Sequence, residues 1–108
     1  MTLDRDLQSI QEVRDLVANA KKAQRELAEF SQEKIDRIIY EIAKDCAANA
    51  QKLAKMAVEE TGFGVWEDKV LKNLLGSTIT YESCKDMKTV GELERDEVKK
   101  VRTIAVPV

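Results

Sequence analysis

Few residues of this chain have the types or the spacing that catalysis or metal binding requires. Its 108 residues include no histidine and two cysteines, Cys46 and Cys84. Histidine is the commonest general base and metal ligand, so its absence removes most acid–base and metal sites. Two cysteines so far apart match neither a zinc site nor a disulfide framework, and they favour a reducing compartment.

Cys46 is the thiol whose surroundings can be judged from the sequence. Its spacing from Ile39, Ile42 and Ala50 places it on the apolar stripe of a helix. A nucleophilic cysteine needs a cation, a base or a helix N-terminus nearby, whereas a thiol on an apolar stripe acts as a small hydrophobe. The pattern therefore predicts a buried, structural Cys46.

Gly62-Phe63-Gly64 offers a second possible site, because glycines at a helix N-terminus can cradle a phosphate. The full phosphate-binding pattern has a third glycine and a preceding strand. Here a helical pattern precedes the glycines. The stretch is better interpreted as a corner at which Gly62 ends one helix and Glu67 and Asp68 begin the next.

The helix that leads the chain is predicted over about residues 9–29. Ser9 and Glu12 have the spacing of a capping box. Apolar and small residues then recur every three or four positions, typical of an amphipathic helix: Ile10, Val13, Val17, Ala20, Gln24 and Leu27. The stripe could bind a partner or a membrane surface, but its mixed charges and lack of aromatic residues favour an ordinary core face.

Two further helices and a hairpin follow in the prediction. One helix spans 31–61 and could divide at Asn49; the other spans 65–86, with Trp66 anchoring its start and Gly76 as its weak point. Strand-like runs at 89–93 and 101–106 flank a charged loop at 94–100, and Pro107 ends the second strand. The predicted fold is mainly α: three or four amphipathic helices over 1–88, then a C-terminal β-hairpin over 89–108.

Composition limits the classes of partner. A net charge of −2, with 35% charged residues and no basic cluster, argues against nucleic-acid binding. No apolar run approaches the roughly 18 residues of a membrane span, and no signal peptide is recognisable. At this length the chain is at most one domain. We expect a cytoplasmic protein.

The corner sequence Glu59-Glu60-Thr61-Gly62-Phe63-Gly64, with Glu67-Asp68-Lys69-Val70 and Lys72-Asn73, resembles the N-terminal region of CoA-acylating aldehyde dehydrogenases. This family includes the aldehyde half of bifunctional aldehyde–alcohol dehydrogenases. Further matching pieces stand in the same order: Ala23–Glu26, Phe30–Glu33, Leu53–Ala57, Lys85–Gly91 and Thr103–Val108. The resemblance covers roughly Ser9 to Val108.

The resemblance implies an oxidoreductase that converts an aldehyde, CoA and NAD into an acyl-CoA and NADH. In this family the region forms helices packed on the α/β cofactor domain, followed by a hairpin of the oligomerisation element. The nucleophilic cysteine lies far downstream, so the resemblance assigns no catalytic, cofactor-binding or metal-binding residue to this chain.

Two hypotheses follow about what the chain is. In the first it is an N-terminal fragment, inactive alone and binding no cofactor by itself. In the second it is a stand-alone helical interaction or oligomerisation module without enzymatic activity. Under both we expect self-association through the hairpin and the apolar helix faces, because unpaired strand edges invite pairing.

Overall fold

The computed structural model describes residues 4–108. The chain forms two compact units. The helical unit is Gln32–Lys88. The second unit, called the α1–hairpin unit after its helix α1 (Arg5–Leu27) and its C-terminal hairpin, joins the chain up to Ser31 with Thr89–Val108.

The helical unit contains three helical rods. Its elements are α2 (Gln32–Ala48), α3 (Ala50–Thr61), α4 (Trp66–Leu74), a π-helical segment (Leu75–Ile79) and α5 (Thr80–Cys84). Helix α4, the π segment and α5 follow one another without a gap and form a single rod.

Asn49 divides the predicted 31–61 helix into α2 and α3. Its backbone has φ −102° and ψ 7°, outside the helical range, and its side-chain Nδ2 donates to the Asp45 carbonyl at 2.8 Å. Asparagine side chains compete with the helix for backbone partners in this way. The alternative of two helices, left open by the sequence, is the one observed.

The corner between α3 and α4 is built from left-handed backbone. Gly62 follows the last residue of α3 with φ 68°, and its N–H donates to the Val58 carbonyl at 2.8 Å. Gly64 has φ 79°. Both conformations are open to glycine at little cost, so the predicted helix end at Gly62 is confirmed.

The π segment lies where the sequence predicted a single helix over 65–86. The Ser77 hydroxyl donates to the Asn73 carbonyl at 2.7 Å, and the Thr80 hydroxyl donates to the Leu75 carbonyl, five residues back, at 2.6 Å. Short π segments arise where the helical hydrogen-bond ladder is locally widened. Gly76, predicted as the weak point of this helix, lies inside the segment.

The buried centre of the helical unit consists of small side chains. Ala43, Ala50 and Ala54 are 9%, 3% and 1% exposed, and Ser77 is 6% exposed. Small residues let helix backbones approach closely. Because the helices lie this close together, the Asn73 Nδ2 group donates to the Ala50 carbonyl at 3.0 Å. This hydrogen bond joins α4 to the start of α3.

Helix α1 spans Arg5–Leu27, with Asp4 as the residue before it. The predicted start at Ser9 was wrong, since Ser9 lies inside the helix. The helix extends one turn further because Asp6 suits a first turn, and its Oδ1 accepts the Leu7 N–H at 2.9 Å.

The hairpin pairs β1 (Gly91–Asp96) with β2 (Val101–Ala105) antiparallel, with Gly91 opposite Ala105 and a bulge between Glu92 and Glu94. The predicted loop at 94–100 was too long, because residues 94–96 pair with β2. The chain reverses after Asp96, whose Oδ1 accepts the N–H groups of Val98 and Lys99 at 3.0 and 2.9 Å. Helices followed by a C-terminal hairpin, as predicted, are confirmed.

Candidate interaction surfaces

Both cysteines are exposed free thiols. The prediction that Cys46 is buried was wrong. The reason is that the stripe containing it is only partly covered, since its neighbours Ile39 and Ile42 are also about half exposed, at 47% and 53%. Within residues 4–108, no cluster of three or more cysteine or acidic side chains could hold a metal ion.

The two cysteines lie on neighbouring helices, Cys46 on α2 and Cys84 on α5. Tyr40 on α2 meets Tyr81 on α5 with ring centroids 5.9 Å apart, and Asn73 reaches Ala50, so α2 runs antiparallel to the α4–α5 rod. Cys46 follows Tyr40 and Cys84 follows Tyr81, in opposite directions. Both line the groove described next.

A shallow, largely apolar groove crosses the helical unit above the π segment. It is lined by Ile39, Ile42, Ala43, Cys46, Gly76, Ser77, Thr80, Tyr81 and Cys84. Gly76 has no side chain and Ser77 is turned inward to the Asn73 carbonyl, so the middle of the groove lacks large residues. Its composition suits an apolar protein surface and offers no charged group for catalysis.

Trp66 begins α4 and packs against α3. The Lys55 ammonium lies 4.5 Å from the centroid of the Trp66 ring, within the range of a cation–π contact. The sequence predicted that Trp66 anchors the start of its helix against the preceding helix, and this cation–π contact joins the two helices in that way. Phe63, in the same corner, is 76% exposed.

The apolar stripe of α1 is exposed from Ile10 to Ala20, whereas Gln24 and Leu27 at its C-terminal end are half-buried. Ile10, Val13 and Val17 are 48%, 56% and 60% exposed, and no residue of α1 is buried. The prediction of a core face was therefore wrong for the described chain. The amphipathic pattern is present, but no described element covers the stripe between Ile10 and Ala20.

The C-terminal end of α1 contacts the residues that follow β2. The Gln24 Nε2 group donates to the Pro107 carbonyl at 3.4 Å, and Pro107 is buried. Beside this contact lies an apolar groove, lined by Ala20, Ala23, Gln24, Glu26, Leu27, Phe30 and Val108. The lining combines the small side chains of Ala20 and Ala23 with the larger apolar side chains of Leu27 and Phe30.

Charged side chains on the hairpin pair with one another at the surface. Arg95 donates to Glu92 at 2.9 Å and contacts Glu97 at 3.4 Å, and Arg102 lies 3.7 Å from Glu92. The hydrogen bond with Glu92 raises the pKa of Arg95, and a hydrogen bond with Glu82 on α5 raises the pKa of Lys85. These exposed pairs order the surface but add little to stability.

No helix within residues 4–108 is long and apolar enough to cross a membrane. Sequence reasoning missed two long-range contacts: Asn73 to Ala50, between α4 and α3, and Gln24 to Pro107, between α1 and the residues after β2. Each joins residues far apart in the chain, so no local pattern could identify them. The only hint in the sequence is that each amide side chain lies on a helix face predicted to pack against another element.

Comparison with known proteins identifies the family. No family model matches the chain. The bifunctional aldehyde-alcohol dehydrogenase AdhE of Escherichia coli K12 is 45% identical over 100 residues, covering 93% of this chain and 11% of that protein. A crystal structure of a probable aldehyde dehydrogenase from Listeria monocytogenes superposes with a TM-score of 0.84 at 54% identity, covering 94% of this chain. An acetylating aldehyde dehydrogenase from Geobacillus thermoglucosidasius gives a TM-score of 0.80 at 52% identity, covering 90%. The chain is homologous to the N-terminal region of the acylating aldehyde dehydrogenases.

The chain spans a small part of these acylating aldehyde dehydrogenases, 11% of AdhE and 22% of each of the two crystallised chains. Half of the sequence pieces that resemble the family lie at junctions between elements. The piece Glu59–Gly64 ends α3, Lys85–Gly91 leads into β1, and Thr103–Val108 ends β2. The other pieces lie inside helices α1, α3 and α4.

Proposed function

We propose that this chain is the N-terminal structural region of an NAD-dependent, CoA-acylating aldehyde dehydrogenase. The intact enzyme would convert an aldehyde, CoA and NAD into an acyl-CoA and NADH. The observation that carries the proposal is the joint match in sequence and fold to acetylating and bifunctional relatives along nearly the whole chain.

In this proposal the region does not catalyse by itself and binds neither NAD nor CoA alone. The absence of histidine supports this, because a thiol nucleophile is commonly activated by a neighbouring histidine base. The grooves beside α1 and above the π segment are largely apolar and offer no convergent set of polar groups for a dinucleotide.

The role that remains is to pack on the rest of such an enzyme. The helical unit exposes Ile39, Ile42, Leu71, Leu75 and Ile79, each between 47% and 67%. An apolar surface of this extent usually marks a contact with other protein. We assign this face to the remaining part of the parent enzyme.

Complementation tests the proposal. The chain is refolded with the Geobacillus acetylating enzyme lacking its corresponding N-terminal region, and NADH formation from an aldehyde and CoA is followed by absorbance. We expect neither polypeptide to be active alone and the mixture to be active. NADH production by the chain alone would overturn the non-catalytic role, and an inactive mixture would overturn the structural role.

Two variants control for folding. Ala54 is 1% exposed in the helical unit, so Ala54→Asp buries an unpaired carboxylate and should abolish complementation. Val98 is 93% exposed in the hairpin turn, so Val98→Asp adds the same charge without disturbing the packing and should complement like the parent chain.

A stand-alone interaction module is the second candidate. Within residues 4–108 the sheet has two strands, β1 and β2, and so presents two outer edges. Unpaired strand edges and apolar helix faces promote association. In this alternative the chain self-associates through them, and the helical unit needs no enzyme to cover it.

A further inference from the structure

We propose that a second copy of this chain covers the exposed stripe of α1, and that the two α1 helices pair in antiparallel orientation. This is independent of the first candidate function, which concerns the face of the helical unit, and it names the helix and the orientation for the self-association considered under the second. Three properties of α1 indicate that the partner is a second copy: the spacing of its exposed residues Ile10, Val13, Val17 and Ala20, called the seam below, the groove at its C-terminal end and its charge distribution.

The seam has the spacing of a helix–helix contact. Ile10, Val13, Val17 and Ala20 are separated by three, four and three residues, the alternation that keeps side chains on one face of paired helices. All four are exposed. Because α1 contains no buried residue, a partner can reach the seam without displacing any described element.

The seam is self-complementary only when the helices are antiparallel. Ile10 is the large residue at one end, whereas Ala20 and Ala23 line the apolar groove at the other. Antiparallel pairing places each Ile10 at the Ala20 groove of the other copy and Val13 beside Val17. Parallel pairing would place Ile10 on Ile10 and leave both grooves unfilled.

Charge favours the same orientation. The first half of α1 and the residue before it carry four carboxylates against two arginines: Asp4, Asp6, Glu12 and Asp15 against Arg5 and Arg14. The second half carries three cations against one carboxylate: Lys21, Lys22 and Arg25 against Glu26. Antiparallel helices bring opposite halves together. Such exposed charges select orientation more than they add affinity.

The seam is short, about 15 Å from Ile10 to Ala20. A contact of this size is at the weak end of protein interfaces, so we expect dimerisation that depends on concentration. Sedimentation velocity over a broad concentration range measures it. We expect the parent chain to shift from monomer to dimer as concentration rises.

Val13→Glu places a charge in the centre of the seam and should weaken dimerisation at least tenfold without loss of helical circular dichroism. Ala18→Glu is the matched control, because Ala18 is exposed on α1 outside the seam. It should associate like the parent chain. An unchanged dimer in Val13→Glu, or a parent chain that stays monomeric at all concentrations, would overturn the proposal.

Cross-linking tests orientation in chains that also carry Cys46→Ser and Cys84→Ser. Ile10→Cys alone should not form a disulfide dimer on mild oxidation, because the two thiols lie about 15 Å apart in antiparallel helices. A mixture of Ile10→Cys with Ala20→Cys should form the mixed disulfide. A disulfide in Ile10→Cys alone would indicate parallel helices and overturn the orientation. The complementation experiment is independent of both results, so the two proposals can fail separately.

Discussion

Two glycines in the helical unit differ in backbone conformation, so alanine at the two positions should change the stability in opposite directions. Gly62 has φ 68°, and a Cβ built there would meet no atom within 4 Å. Any cost of a side chain is therefore conformational. Gly62→Ala should destabilise the chain by about 1–2 kcal/mol, the cost of a left-handed alanine. Gly76 has helical backbone and the same open space, so Gly76→Ala should stabilise by about 0.5–1 kcal/mol.

Urea unfolding of the two variants and the parent measures both free energies. The pair is matched, since each substitution adds one methyl group to open space in the same unit. Equal shifts of the same sign would contradict the assignment, because only the backbone conformation distinguishes the two sites.

At the level of single residues, the sequence predicts conformation better than burial. The end of α3 at Gly62 follows from a glycine placed between two helical patterns, because backbone preference is a local property. The exposure of Cys46 could not be predicted in this way. Periodicity shows that a face is apolar, but what covers that face is decided by distant segments.

Among the secondary-structure elements, the hairpin turn combines a strained backbone conformation at one residue with stabilising hydrogen bonds to the side chain of another. Lys100 has φ 57°, in the left-handed region that disfavours lysine. Lys100→Gly should therefore stabilise the hairpin by about 0.5 kcal/mol, the strain relief less the added flexibility. Asp96→Ala should destabilise it by about 1 kcal/mol, because the N–H groups of Val98 and Lys99 lose their acceptor.

Amide hydrogen exchange of β1 and β2 measures these changes where they occur. Lys99→Gly is the control for Lys100→Gly, since it removes an equally exposed lysine from the same turn at a residue without positive φ. It should speed exchange. Slower exchange in Lys99→Gly would show that the effect is not specific to the backbone of Lys100.

The boundaries of the elements were predictable where a local signal exists. Asn49 signalled a possible division between α2 and α3, and that division is present. For the π segment the sequence offered only Gly76 as a hint. Its widened helical hydrogen bonding is accompanied by hydroxyl contacts of Ser77 and Thr80, which no local pattern specifies. The bulge that carries β1 through residues 94–96 has no distinctive residue, so the predicted loop was too long.

For the whole chain, the limited burial has a thermodynamic consequence. The most buried side chains of the helical unit are three alanines and a serine, and many large apolar side chains are exposed. The heat-capacity change of unfolding follows newly exposed apolar surface. Calorimetry of the dilute chain should therefore give a value clearly below the ~1.3 kcal/mol/K typical of 100 residues.

Repeating the calorimetry at high concentration provides the control. Association would cover apolar surface in the folded state and raise the heat-capacity change and the melting temperature together. A full-size heat-capacity change at low concentration, where the chain is monomeric, would contradict the exposed faces described here.

The family and the order of elements could be inferred from the sequence, because turn residues and helical periodicity are local and specific. Motifs such as Glu59–Gly64 indicated the family, although they contain no catalytic residue. The exposure of the α1 stripe could not be inferred, since an amphipathic pattern is the same whether its apolar face is buried or exposed.

Trp66 is the only tryptophan of the chain, and the Lys55 ammonium lies against its ring. Tryptophan emission therefore monitors one junction, α3 with α4, inside the helical unit. Helical ellipticity also includes the 23 residues of α1, which belong to the other unit. The chain thus carries an intrinsic optical label for one of its two units, and comparing the two signals during unfolding reveals whether both units melt together.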